Sequence, residues 1–114
     1  MSVDLFACAP VSDFKAGLAW YERLFGGPPA FLPNDVEAVW ELAEHRFVYI
    51  EHLPEHAGHS QLTLFVSDFD ERLAAMAERG MAPDSRETYE NGVRKAIFRD
   101  PDGNEIGFGG DPAE

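Results

Sequence analysis

Basic residues and cysteines are scarce in this chain, and each shortage limits the functions it can have. Nine Lys and Arg residues against 21 Asp and Glu residues give a formal net charge of −12 at pH 7. Such a chain is repelled by phosphate backbones and by anionic membrane surfaces, so we expect neither nucleic acid nor a membrane as a partner. The single cysteine, Cys8, cannot form an internal disulfide. An unpaired thiol fits a reducing compartment, so we expect a cytoplasmic protein.

Long apolar runs are also missing. No run of about 18 apolar residues occurs, so no membrane-spanning helix is expected. The first ten residues carry one Asp and neither Lys nor Arg, which is unlike a signal peptide. What the chain does contain is 45% hydrophobic and 12% aromatic residues over 114 positions. That content is enough for the core of one domain, and we expect residues 1–114 to form a single one.

The chain contains an internal repeat. The tetrapeptide Val11–Phe14 recurs as Val66–Phe69, at an offset of 55 residues. Before each tetrapeptide, the residues alternate between two faces with the period of a β-strand. After each one, an Asp suited to an N-cap precedes apolar residues at helical spacing, and Gly26 or Gly80 ends the predicted helix. The apolar positions of the two helices are Phe14, Leu18, Tyr21 and Phe25, and then Phe69, Leu73, Met76 and Ala77.

Strand-like segments follow each predicted helix, at 30–32, 37–43 and 46–53 in the first copy and at 86–89, 93–99 and 105–109 in the second. The chain therefore predicts an α+β fold of two tandem β-α-β-β-β units, 1–53 and 61–114, joined by the connector 54–60. We expect a curved, mainly antiparallel sheet around a concave cavity, with the helices outside. Phe6, Cys8, Gln61 and Thr63 then face the cavity, while Leu62, Leu64 and Val66 lie under a helix.

Three motifs resemble the vicinal oxygen chelate superfamily, which includes glyoxalase I, extradiol dioxygenases and the bleomycin-resistance binding proteins. They are Val11-Ser12-Asp13 before a helix with Trp20-Tyr21, Phe65-Val66-Ser67-Asp68 before the second helix, and Arg99-Asp100-Pro101-Asp102-Gly103-Asn104 before the last strand. The resemblance covers nearly the whole chain. The last motif is a turn and is interpreted as structural.

The resemblance implies four possible metal-ligand positions, one on the first and one on the last strand of each copy. They correspond to Phe6, Glu51, Gln61 and Gly107, with Tyr49 as an alternative to Glu51. Phenylalanine and glycine side chains have no donor atom for a divalent ion. We therefore expect no metal cofactor, with Glu51, Gln61 and Glu105 as the weak candidates for a Zn, Ni, Mn or Fe ion.

The leading functional hypothesis is a metal-free protein of the bleomycin-resistance type that binds a small organic molecule of aromatic or cationic character. The candidate ligand-binding residues are Phe6, Trp40, Tyr49, Glu51, Gln61, Thr63 and Tyr89. Aromatic rings supply apolar area, and a carboxylate supplies a charged anchor. No catalytic residue is assigned. The alternatives are a metal-dependent lyase or dioxygenase resembling glyoxalase I, and an accessory dimer without cavity chemistry. A homodimer is expected in each case.

Three histidines and the cysteine are candidates for separate sites. His52, His56 and His59 have spacings that would suit zinc on a helix, but Pro54 and Gly58 interrupt the segment, which favours a solvated connector. Cys8 has no basic neighbour in sequence and is interpreted as a small buried residue.

Overall fold

The computed structural model describes residues 2–114 and confirms both β-α-β-β-β units. In chain order the elements are β1 Leu5–Val11, α1 Phe14–Phe25, β2 Phe31–Asn34, β3 Glu37–Ala43, β4 Arg46–His52, β5 Gln61–Phe65, α2 Phe69–Glu78, β6 Ser85–Thr88, β7 Arg94–Arg99 and β8 Glu105–Gly110, with a 3-10 turn at Pro54–His56 between the units. Neither helix within residues 2–114 has the length and apolar character needed to cross a membrane.

The strands form two mixed sheets of four strands each. Sheet A has the order β1-β4-β3-β2, and sheet B repeats it as β5-β8-β7-β6. In each sheet the first strand of the unit pairs with the last one in parallel, and the remaining pairs are antiparallel. The α+β class predicted from the repeat is therefore confirmed, and the eight strands are divided equally between the two copies.

The two helices begin differently although both follow an Asp. At α1 the Asp13 carboxylate accepts a hydrogen bond of 3.0 Å from the Ala16 N–H, which satisfies one free donor of the first turn. At α2 the Asp68 carboxylate makes no such bond and instead pairs with Arg72 one turn later, at 3.0 Å. The end of α1 follows the prediction. Gly26 has φ of 86° and donates its N–H to the Glu22 carbonyl.

One apolar core joins the two copies. It contains the inward faces of both sheets and the buried sides of both helices, and Leu62, Leu64 and Val66 pack against it as predicted. Its largest fully buried apolar or aromatic members are Tyr21, Phe98, Phe108, Leu24, Ile50, Met76 and Ile106. Because this core covers one side of each sheet, the opposite sides remain open to solvent.

Polar side chains of the last turn hold the copies together. The Tyr21 hydroxyl donates to the Asp100 carboxylate at 2.8 Å, and both residues are buried. The Asn104 amide donates to the Pro10 carbonyl at 2.6 Å and accepts from the Ser60 N–H at 3.0 Å. These bonds connect the turn between β7 and β8 to α1, to β1 and to the connector, which supports the structural interpretation of this motif.

Candidate ligand-binding faces

The open side of sheet A, named face A, is aromatic at its centre. It carries the side chains that alternate with the core residues: Phe6, Cys8 and Pro10 of β1, Glu37, Val39 and Glu41 of β3, and Phe47, Tyr49 and Glu51 of β4. The rings of Phe6 and Phe47 stack with centroids 4.4 Å apart and planes 6° from parallel. Tyr49 approaches Phe6 edge-on at 6.5 Å. Nearly half of Phe6 is exposed, at 47%, so the pair presents a flat apolar surface to a planar molecule.

Three carboxylates share face A with these rings, Glu41 beside them and Glu37 and Glu51 two rows further along, beyond Tyr49. Glu37 and Glu51 lie directly opposite each other on neighbouring strands, and Glu41 lies opposite Phe47. Like charges placed directly across a sheet normally destabilise it. Among the described residues of face A there is neither Lys nor Arg to offset these negative charges. Arg46 of β4 pairs with Leu5 and belongs to the other side of the sheet. The face is therefore suited to a cation.

Cys8 and Tyr49 are cross-strand partners on face A. Burial raises the pKa of the Cys8 thiol, and the Glu51 carboxylate raises it further, against an opposing effect of the hydrogen bond with Tyr49. Burial together with the same hydrogen bond raises the pKa of Tyr49 to about 12. Both groups therefore stay protonated at neutral pH, and the thiol is not a thiolate nucleophile.

The open side of sheet B, named face B, has a different character. It carries Gln61, Thr63 and Phe65 of β5, Glu87 of β6, Lys95, Ile97 and Arg99 of β7, and Glu105, Gly107 and Gly109 of β8. Arg99 and Glu105 form a salt bridge of 3.1 Å at one end. Two basic residues accordingly lie on this face, whereas face A has none.

The structure divides the predicted ligand-binding residues between the two faces. Phe6, Tyr49 and Glu51 share face A, and Gln61 and Thr63 share face B. Tyr89 lies just beyond β6 and is 42% exposed.

Trp40 does not join either group. It pairs with Val48 on the inward side of sheet A and is only 4% exposed. Its indole N–H donates to the Gly27 carbonyl at 3.0 Å, and its ring packs against Tyr21 and Phe25 in the core. The predicted cavity position of Trp40 is therefore corrected to a core position.

The proposed metal-ligand positions do not converge within the chain. The register places Phe47, not Glu51, opposite Phe6, and it places Glu105, not Gly107, opposite Gln61. Glu51 lies in sheet A while Gln61 and Glu105 lie in sheet B. Nowhere in residues 2–114 do three or more His, Cys, Asp or Glu side chains group as ligands for a metal ion. The donor side chains of one chain thus do not fit a divalent metal, and the expected metal-free function stays a prediction.

The histidines of the connector region are likewise not grouped as a metal site. His52 ends β4, His56 ends the 3-10 turn and His59 is exposed in the loop after it. His45 occupies the turn before β4 with φ of 67°, and its Nδ1 lies 2.5 Å from the Asp4 carboxylate.

A cleft of about 840 Å³ lies between the two copies. Its walls combine residues of sheet A, most of them inward-facing, with both sides of β5, and the sequence did not predict these walls. Gln61 and Thr63 line it, but the other predicted ligand-binding residues do not. Its apolar lining consists of Leu5, Ala7, Phe25, Leu42, Ala43, Phe47, Val48, Leu62, Leu64, Phe65 and Val66.

Comparison with known proteins identifies the family. The profile of the Glyoxalase/Bleomycin resistance protein/Dioxygenase superfamily matches residues 3–108, and the chain belongs to this superfamily. No protein of curated function matches the sequence.

Solved structures agree with this assignment. A glyoxalase / bleomycin resistance protein from Catenulispora Acidiphila DSM 44928 is 52% identical, with a TM-score of 0.94 over 97% of this chain and 100% of that chain. An antibiotic binding protein from Streptomyces sp. CB03234 is 28% identical, with a TM-score of 0.72 over 99% of this chain and 98% of that one. A bleomycin-binding protein, solved with bleomycin, has the same fold at 21% identity, with a TM-score of 0.74 over 99% and 100%.

Proposed function

We propose that this protein binds a small organic molecule that has a planar aromatic part and a positive charge, without a catalytic metal. The observation that carries the proposal is face A, where the stacked Phe6 and Phe47 rings share one open surface with three carboxylates. Stacked rings offer apolar area and a π-face to a cation, while Glu51 offers a charge-assisted anchor. Two structural relatives are antibiotic-binding and bleomycin-binding proteins by name, which supports binding of this kind.

A homodimer is part of the proposal. Face A is acidic and aromatic, whereas face B carries Lys95 and Arg99. In a twofold dimer, face A of one protomer covers face B of its partner, and the reverse contact follows by symmetry. This arrangement encloses two equivalent cavities between complementary surfaces. The single thiol and the acidic surface suit a cytoplasmic dimer.

The binding proposal is tested by fluorescence titration with thioflavin T, a cationic aromatic dye, against wild type and Glu51→Gln. The variant keeps the size of the side chain and removes its charge, so we expect its affinity for the dye to fall by roughly tenfold, the usual worth of a charge-assisted contact. Glu55→Gln is the matched control, because Glu55 is exposed in the 3-10 turn away from both faces. Equal affinity of all three proteins would contradict the proposal.

Two further measurements test its other parts. Elemental analysis of the purified protein is expected to find less than stoichiometric divalent metal, and one ion per chain would overturn the metal-free assignment in favour of a metal-dependent lyase or dioxygenase. Light scattering after size exclusion is expected to give twice the chain mass of 12.7 kDa. A species of only one chain mass at micromolar concentration would contradict the dimer.

A further inference from the structure

Lys95 occupies an unusual place on face B. In the strand ladder it lies directly opposite Gly109, but its side chain does not stay there. A Cβ atom built on Gly107 would lie 2.9 Å from the Lys95 Cε atom, so the lysine runs diagonally across β8 and covers Gly107. The absence of a side chain at Gly107 leaves the room for this path.

Within its own chain, Lys95 has a polar neighbour but forms no salt bridge among the described residues. The Thr63 Oγ1 atom lies 3.4 Å from the same built Cβ position, so the hydroxyl and the lysine side chain both border the space over Gly107. Glu87 is the ladder partner of Lys95, and Glu105 lies two residues before Gly107 on the same face. Neither forms a salt bridge with Lys95 in the part of the chain that the structure describes, since Glu105 pairs with Arg99.

We infer that Lys95 and Thr63 form a subsite for an anionic oxygen group of the ligand, such as a carboxylate or a sulfonate. A partly buried lysine without a salt-bridge partner among the described residues of its own chain gains a charge-assisted hydrogen bond from such a group. Thr63 adds a neutral donor from β5, on the other side of β8 from Lys95. The subsite lies at Gly107, where the family resemblance would place a metal ligand, so a fixed protein cation stands in that region.

This inference rests on the proposed function, because it takes face B as part of the ligand cavity. It extends that function to a ligand with charges of both signs. The cationic aromatic part contacts face A, and the anionic group contacts Lys95. The net charge of −12 disfavours the binding of anions in general, so binding of an anion by this chain requires a local basic group such as Lys95.

The test uses two fluorescent probes that share one aromatic framework. 8-Anilinonaphthalene-1-sulfonate carries a sulfonate, and N-phenyl-1-naphthylamine lacks it. We expect Lys95→Met to weaken binding of the sulfonate probe by roughly tenfold or more while the neutral probe changes by less than about twofold. The chain has only one other lysine, and Lys15→Met in α1 is the matched control for loss of one positive charge. Thermal melts of both variants check that each remains folded.

A second readout does not depend on the variants. Acetylation by acetic anhydride, followed by mass spectrometry, is expected to show that the sulfonate probe protects Lys95 and leaves Lys15 reactive. If both probes bind and Lys95→Met weakens them equally or not at all, the anion subsite is wrong and the proposed binding function stands. If neither probe binds wild type and thioflavin T does not bind either, the binding function fails, and the subsite fails with it.

Discussion

Asn104→Ala is a substitution with a large expected effect on stability outside the apolar core. The Asn104 side chain is fully buried and makes four hydrogen bonds. It accepts from the Gly58 and Ser60 N–H groups at 3.1 and 3.0 Å and donates to the Pro10 carbonyl and the Asp100 carboxylate at 2.6 and 2.8 Å. At about 1 kcal/mol net for each bond, their removal costs about 4 kcal/mol, and partners left unsatisfied raise this cost. The total free energy of unfolding of a domain of this size is about 5–15 kcal/mol.

The assay is urea unfolding followed by tryptophan fluorescence, at one fixed protein concentration because a dimer would make stability depend on it. Trp40 reports on the core, where it is 4% exposed. Asn91→Ala is the control, since the exposed Asn91 side chain accepts only one bond, from the Val93 N–H at 3.0 Å. The control is expected to lose about 1 kcal/mol or less. A loss for Asn104→Ala no greater than that of the control would refute the structural role assigned to the turn.

Three further outcomes are expected. Leu64→Ala should lower the free energy of unfolding by about 2 kcal/mol, the lower end for core leucines, because Leu64 is only partly buried. Thr63→Ala should lower it by less. Equal losses in urea unfolding would mean that the assigned faces are exchanged. Because burial raises the Cys8 pKa, alkylation by iodoacetamide at pH 8 should be several-fold slower in the folded protein than in urea, and equal rates would contradict this. Burial and Asp100 raise the pKa of Tyr21, whereas an unfolded tyrosine ionises near pH 10, so the free energy of unfolding should fall by about 1.4 kcal/mol per pH unit above pH 10. The fall should be shallower in Tyr21→Phe, and identical slopes in alkaline melts would rule out this origin.

The repeat made most of the fold predictable. Period-two alternation before Val11 and Val66 identified β1 and β5, and it also identified their inward faces correctly. The turn residues after Arg99 placed the last hairpin, because Pro and Gly have strong backbone preferences there. These patterns are local, so they can be interpreted without knowledge of the tertiary structure.

The errors arise where local periodicity is weak. Ala38, Val39 and Trp40 are consecutive and all buried, so β3 offers no alternation from which the side of Trp40 can be inferred. Ladder register depends on strands that are distant in sequence, and the pairs Phe6–Phe47 and Gln61–Glu105 were therefore missed. The position of Lys95 over Gly107 depends on a missing side chain on a neighbouring strand, which no pattern within β7 records.

The bond between Tyr21 and Asp100 is present once in a chain that contains the same unit twice. At the offset of 55 residues, the counterpart of Tyr21 is Met76, which is fully buried but has no hydroxyl to donate. A protein assembled from two identical single units would show either both such bonds or neither. The interior of this chain has thus lost the symmetry that the strand order of its two sheets retains. Its halves are no longer interchangeable, and a chain made by repeating the first half would lack the acceptor for its own tyrosine.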